Sequence, residues 1–321
     1  MNNYKSFIAP WMESFAVFQK AAGRWNKTYS CNLIYFDRHC SQQLSGNESL
    51  TQELVDNWCA QRPTEINNSC RTRIFVVFNF IRYLRERGLT DVMPPVMPGQ
   101  ERITHLPHAF TDLELERFFK ACDNLPSTPR KLTVLARKVI VPVFFRLLYS
   151  SGIRTNEARE LRVNDVNLSD GVLNVRQSKG QAQHFVVLHD TMLSLLIKYN
   201  ATVQTLYPQR EYFFPSPRNS FLSNSWVVHN FRQLWYKDNT AYATAYQLRH
   251  NYAIENVNQW IGEGFELFSK LVYLSKSMGH SSLESTKYYF NLTPVLFDIL
   301  REKTENDFDI IVPEVDWLEE S

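Results

Sequence analysis

Apolar residues recur at helical spacing in four early stretches of the chain, roughly 15–24, 32–40, 50–59 and 67–87, which predicts a small all-helical domain. In the last stretch Ile74, Val77, Phe78, Ile81 and Leu84 share one side, and Arg71, Arg73, Arg82, Arg85 and Arg87 are displayed along the same helix. The pattern breaks at 92–108, VMPPVMPGQERITHLPH, where four prolines and a glycine mark a linker. A second domain opens with Thr111 and Glu114 spaced as a capping box and Phe110 and Leu115 as a hydrophobic staple. The strongly apolar run 134–149 predicts a buried central helix, ended by Ser150-Ser151-Gly152, where the glycine suits a left-handed cap.

Strand character at 172–176 and 185–188 flanks Gln177-Ser178-Lys179-Gly180-Gln181, with an earlier turn at Ser169-Asp170-Gly171. This predicts a small antiparallel sheet. Helical patterning returns after Asp190 and passes through 226–235, 246–260, 265–277 and 283–290. The expected architecture is mainly α with a small antiparallel β-sheet. Its parts are a helical domain over 1–91, a linker over 92–108, a larger domain over 109–300 and a tail over 301–321.

Composition narrows the class without naming it. A chain of 321 residues, 44% hydrophobic and 21% charged, has room for two ordinary globular domains. The opening residues lack a basic stretch followed by an apolar run, and no apolar segment is long enough to span a bilayer. The expectation is a cytoplasmic protein without a membrane partner. Five cysteines with no C-x-x-C pair indicate neither a disulfide framework nor a zinc site; they read as buried small hydrophobes. The net charge of +2 is unevenly spread: residues 301–321 hold two basic against eight acidic side chains, a charge of −6 that leaves +8 on the rest. A basic body with an acidic tail is compatible with modest binding of a polyanion.

Four segments carry candidate chemistry. Gly152-Ile153-Arg154-Thr155-Asn156-Glu157, after the apolar helix, resembles the TGxRxxE box of tyrosine recombinases, and the hairpin with Lys179-Gly180 at its turn resembles their lysine hairpin. Tyr246-Gln247-Leu248-Arg249-His250 resembles their His-x-x-Arg-His box, with tyrosine in the first position. Met278-Gly279-His280-Ser281-Ser282-Leu283-Glu284-Ser285-Thr286-Lys287-Tyr288-Tyr289 resembles the box carrying the nucleophile, and Tyr289 stands nine positions after His280 as that box requires. The resemblance spans about 110–290, and the upstream helices resemble the family's core-binding domain.

The chemistry of phosphodiester attack gives each residue a part. Charge builds on the non-bridging oxygens, and two arginines, Arg154 and Arg249, can clamp a phosphate in fixed orientation. His280 can donate a hydrogen bond to the same phosphate. Tyr289 is the nucleophile; with an ordinary pKa near 10, its phenolate needs cationic surroundings. Tyr288 is the competing hydroxyl, disfavoured by spacing. Lys179 can protonate the leaving 5′-oxygen. Glu157 either orients neighbouring cations or is a plain helix-surface acid. His250 is structural. Two departures stand out: Tyr246 cannot act as a base near neutrality where the family has histidine, and the stretch containing Trp260-Ile261-Gly262-Glu263-Gly264-Phe265 is longer than in the simplest members, as in a subfamily insertion.

The resemblance implies a site-specific DNA recombinase of the simple two-domain, Xer-like type from a mobile element. Such an enzyme cleaves and rejoins strands through a covalent 3′-phosphotyrosine in integration, excision or transposition. It implies double-stranded DNA as partner, four protomers on paired sites with a monomer or dimer when free, and no cofactor or metal. Arg71 and Arg73 are candidate DNA contacts, and core-site recognition is expected without an arm-binding module. The amphipathic tail either docks on a neighbouring protomer or packs on its own domain. Two rival readings are a type IB topoisomerase and an inactive DNA-binding accessory protein of the same fold.

Overall fold

The computed structural model of the protein describes residues 4–42, 49–101, 108–126, 132–176, 183–260, 266–280 and 282–287. The chain divides into two units, Met1–His105 and Leu106–Ser321. Among the described residues no helix is long and apolar enough to cross a membrane. The tail over 301–321 lies outside them.

The first unit holds α1 (Ala9–Ala21), α2 (Lys27–Gln42), α3 (Gln52–Cys59) and α4 (Asn67–Arg85). Helix α4 packs against the other three. Ile74, Val77, Ile81 and Leu84 are buried as their spacing predicts, and Val76, Phe80 and Tyr83 widen that face, because α4 is covered from several directions. Phe80 meets Phe15 of α1 with ring centroids 5.4 Å apart. Asp37 on α2, 2% exposed, accepts the backbone N–H groups of Lys5 and Ser6 at 2.9 Å and the Ser6 hydroxyl at 2.6 Å, which satisfies a buried carboxylate. The proline-rich stretch is tied to α4: Asn67, Asn68 and Arg71 donate to the carbonyls of Gly99, Glu101 and Pro98.

The two candidate DNA-contacting arginines of α4 part ways here. Arg73 is 5% exposed and donates to both carboxylate oxygens of Glu65, at 2.9 and 2.6 Å, to the Ala60 carbonyl and to that of Trp58. Its hydrogen bonds hold the Glu65 carboxyl well down, to about 2. The expectation that Arg73 faces DNA is therefore corrected: its guanidinium is consumed inside its own unit, bracing the turn between α3 and α4. Arg71 is half-buried.

Cys40, Cys59, Cys70 and Cys122 are buried and Cys31 partly so. Burial pushes the thiols of Cys40, Cys59 and Cys122 up to about 12, so these three are thiols rather than thiolates at neutral pH.

The second unit opens with α5 (Asp112–Asp123), whose capping box forms as spelled: Thr111 Oγ1 accepts the Glu114 N–H and Glu114 accepts that of Thr111. The apolar run becomes α6 (Leu132–Ser151), buried through Ile140, Val141, Phe144, Phe145, Leu147 and Leu148. It packs against α5, α8 (Asp190–Leu206) and α10 (Gln247–Trp260). Short α7 (Thr155–Glu160) follows α6, and α9 (Asn224–Asp238) covers α5.

The sheet has three antiparallel strands in the order β1 (Val166–Asn167), β2 (Val172–Val175) and β3 (His184–Val187). The two-residue β1, too short to show periodicity, is the strand the sequence pattern lacks. Strand β3 begins one residue earlier than its apolar run, because His184 pairs with Val175. That register turns His184 and Val186 inward and Phe185 and Val187 outward. The hairpin tip with Lys179 lies outside the described residues. Helices α11 (Glu266–Ser277) and α12 (Glu284–Lys287) are the last among the described residues; the predicted helix over 283–290 is described only to 287.

Replacing Arg73 with Met leaves the Glu65 carboxylate nearly buried without its cation. The expected loss is about 3 kcal/mol of stability in the first unit, measured by urea denaturation. An arginine serving DNA phosphate would instead weaken binding and flatten its salt dependence, leaving stability unchanged.

Candidate active site

Three of the sequence boxes meet at the end of α6, and two glycines make the meeting possible. Gly152 ends that helix with φ +61°, a conformation costly for any residue with a Cβ. A Cβ there would also come within 2.3 Å of the Tyr252 ring. The turn delivers Arg154 to the start of α7 in extended backbone. Glu157, one turn on, accepts the Arg154 backbone N–H at 2.9 Å and its Nη1 at 2.7 Å. Glu157 is 8% exposed, so of its two expected settings it occupies the buried one, paired with the arginine.

Gly279 follows α11 with φ +63°. The Gly279 N–H donates to the Lys276 carbonyl and the His280 N–H to that of Ser275, both at 2.9 Å, the paired bonds of a Schellman cap. A Cβ on Gly279 would lie 2.4 Å from Cε1 of His184, so the imidazole of β3 fills the space glycine leaves. The His184 ring is buried and its Nε2 stands 3.9 Å from the Glu157 carboxylate.

The arginines lock these turns together crosswise. Arg154 Nη2 donates to the Gly279 carbonyl at 2.7 Å. Arg249, on α10 and only 2% exposed, donates through Nη1 to the Gly152 carbonyl and through Nη2 to the Met278 carbonyl at 2.8 Å. Each arginine is thus anchored by a glycine from another box. Carbonyl partners satisfy the guanidinium N–H groups without neutralising their charge, and the site remains cationic.

His280 sits on the Arg249 side of this cluster. Its Nε2 is 2.9 Å from Arg249 Nη2 and its Nδ1 is 2.7 Å from Thr286 Oγ1. Burial, then repulsion from Arg249 and Arg154, pushes the imidazole pKa down to about 4, so the ring is neutral at pH 7. A guanidinium only donates, hence Nε2 is the acceptor and Nδ1 carries the hydrogen. The sequence suggests His280 as a donor to phosphate; in the substrate-free site the nitrogen facing Arg249 accepts instead, because the neighbouring cations exclude its proton.

The remaining candidates are placed unevenly. Tyr246 precedes α10, half-exposed, with its ring edge-on to His250 at 5.0 Å between centroids. Lys179, Tyr288 and Tyr289 lie outside the described residues. The sequence reading missed His184 and gave Thr286 no role. Inward alternation on β3 is the signal that could have found His184; a hydroxyl six positions after a histidine carries no comparable signal. Among the described residues no group of three His, Cys, Asp or Glu side chains could hold a metal ion.

Two anchored guanidiniums beside a neutral imidazole are the kind of donor set that anionic oxygens accept from. A profile of the phage integrase family matches residues 109–294. The tyrosine recombinase XerC of Oceanobacillus iheyensis is 24% identical over 320 residues, spanning 94% of this chain and 95% of its own. Among solved structures, the XerH site-specific recombinase bound to palindromic difH substrate, a post-cleavage complex, superimposes with a TM-score of 0.62 at 16% identity, over 87% of this chain and 79% of that one. A lambda integrase tetramer bound to a Holliday junction gives a TM-score of 0.59 at 16% identity, over 87% and 76% of the two chains. The chain belongs to the phage integrase family, the tyrosine recombinases. Its class is that of site-specific recombination proteins.

The His280 environment predicts a pH effect. The unfolded chain binds a proton near pH 6.5, whereas the folded site refuses it until about pH 4. Unfolding is therefore favoured progressively as pH falls through that interval, and this contribution is fully present only above it. Urea titrations of wild type between pH 7 and 4 are expected to show a loss that the His280→Gln variant lacks. Equal pH dependence in the two proteins would contradict the assignment.

Proposed function

We propose that this protein cleaves and rejoins duplex DNA at specific sites through a covalent 3′-phosphotyrosine formed on Tyr289. The observation that carries the proposal is the crosswise anchoring of Arg154 and Arg249 on Gly279 and Gly152, which brings three separated boxes to one cationic centre beside His280.

In this reading Tyr289 releases its phenolic proton to solvent as its oxygen attacks the scissile phosphorus. The bond from phosphorus to the 5′-oxygen breaks, and the phosphate remains on tyrosine at its 3′ side. Arg154 holds a non-bridging oxygen; its bonds to Glu157 and Gly279 use two of five guanidinium hydrogens. Arg249 supports the same phosphate from the buried side. Charge developing on the non-bridging oxygens is met by donors fixed in advance, the kind of stabilisation worth about 10²–10³ in rate per donor. Lys179 protonates the departing 5′-oxygen. Attack by another strand's 5′-hydroxyl on the phosphotyrosine reverses these steps and exchanges partners. Tyr246 contributes a hydrogen bond rather than a base, and its exposure fits a residue that meets DNA.

The same reading makes double-stranded DNA the partner, bound chiefly through phosphate contacts and so weakened by salt, with Arg71 a candidate contact in the first unit. Four protomers on two paired sites form the working assembly, as the lambda integrase tetramer does on a Holliday junction. The cytoplasm is the proposed location.

The test is a nicked suicide substrate bearing the element's own attachment sequence, incubated without divalent metal. Wild type is expected to accumulate a covalent protein–DNA adduct and Tyr289→Phe none. Salt-sensitive binding without an adduct would instead indicate an accessory DNA-binding protein, and an adduct persisting in Tyr289→Phe would move the nucleophile to Tyr288.

A further inference from the structure

Thr286 has no part in the mechanism described so far. It is fully buried, where a hydroxyl requires a partner, and its Oγ1 lies 2.7 Å from His280 Nδ1. On the opposite edge of that ring, Nε2 lies 2.9 Å from Arg249 Nη2. The two contacts differ in kind. Since the guanidinium can only donate, the imidazole's single hydrogen sits on Nδ1 and the threonine oxygen accepts it. Thr286 also stands on the segment of the proposed nucleophile, three positions before Tyr289.

We infer that Thr286 is a positioning residue which, by accepting the Nδ1 hydrogen of His280, fixes the ring so that Nε2 is the nitrogen offered to Arg249 and to a bound phosphate. The inference deepens the reading of the site as a DNA-cleaving centre and rests on it.

The need for such a residue follows from the two states the ring must occupy. Without substrate, neutral His280 accepts from Arg249 at Nε2. When a phosphate enters, its negative charge offsets the two arginines, and a proton taken from solvent adds to Nε2. The new N–H then donates to a non-bridging oxygen while the Nδ1 hydrogen stays on Thr286. One proton is gained and the ring does not turn. Without Oγ1, the Nδ1 hydrogen loses the acceptor that stands 2.7 Å away, a penalty relieved by rotating the ring or moving the hydrogen to Nε2. With no phosphate oxygen to receive it, a neutral Nε2–H would oppose an Arg249 N–H, donor against donor. A partner that sets the tautomer and orientation of a functional imidazole acts through that ring rather than on substrate.

The experiment uses the full chain with Thr286→Val, which keeps the shape and removes the hydroxyl, and Thr286→Ser, which keeps the oxygen. Single-turnover adduct formation on the nicked substrate, DNA affinity, and the ¹⁵N NMR signature of the His280 tautomer are measured for each. Thr286→Val is expected to slow adduct formation about tenfold or more with unchanged DNA affinity, and to lose the pure Nδ1–H signature; Thr286→Ser restores both. The inference is overturned if Thr286→Val keeps the wild-type tautomer, if it weakens DNA binding as much as cleavage, or if serine fails to rescue. The tautomer is read without cleavage. A wild-type protein that forms no adduct would therefore defeat the recombinase reading, while the NMR comparison still decides the Thr286–His280 pair.

Discussion

The second unit depends on an exchange of hydrogen bonds between arginines and glycine carbonyls. Arg154 reaches 125 residues along the chain to Gly279, and Arg249 reaches back 97 residues to Gly152. Buried guanidinium groups are expensive to desolvate and tolerable only when their N–H groups find partners. Both glycines sit in left-handed backbone that also leaves no room for a side chain, one against Tyr252 and the other against His184. Sterics fix the turns, the turns aim the carbonyls, and the carbonyls hold the cations. In the proposed reaction a phosphate would meet donors already in place, which limits the cost of organising them.

The second constraint is electrostatic. Burial of His280 beside two arginines keeps the ring neutral at pH 7. Glu157 pairs with Arg154, while Arg249 contacts the imidazole. Burial first, and then the charges of Arg249 and Arg154, give His280 its depressed pKa.

Much of this was legible in the sequence where local rules dominate. The capping box at Thr111 and Glu114, the apolar run that became α6, and the glycine ending it follow from spacing and backbone preference. The arginine and histidine boxes could be read in order, but not the crosswise pairing, because nothing local says which carbonyl will satisfy a guanidinium brought in from far away. Arg73 was misread for a related reason: along α4 it resembles its exposed neighbours, and only the turn carrying Glu65 and the Trp58 carbonyl shows that it is enclosed. His184 escaped notice because its strand begins one residue before the apolar run, which left its alternation with Val186 uncounted until the pairing with Val175 set the register.

The sequence distance between the anchored partners also bears on synthesis of the chain. The first arginine emerges from the ribosome long before the carbonyl that will hold it, and Arg249 precedes both Met278 and His280. A nascent chain therefore lacks the crosswise arginine anchoring until its C-terminal boxes have been made and folded back. Shortened products ending before Met278 would lose the carbonyls of Met278 and Gly279 that hold both guanidiniums.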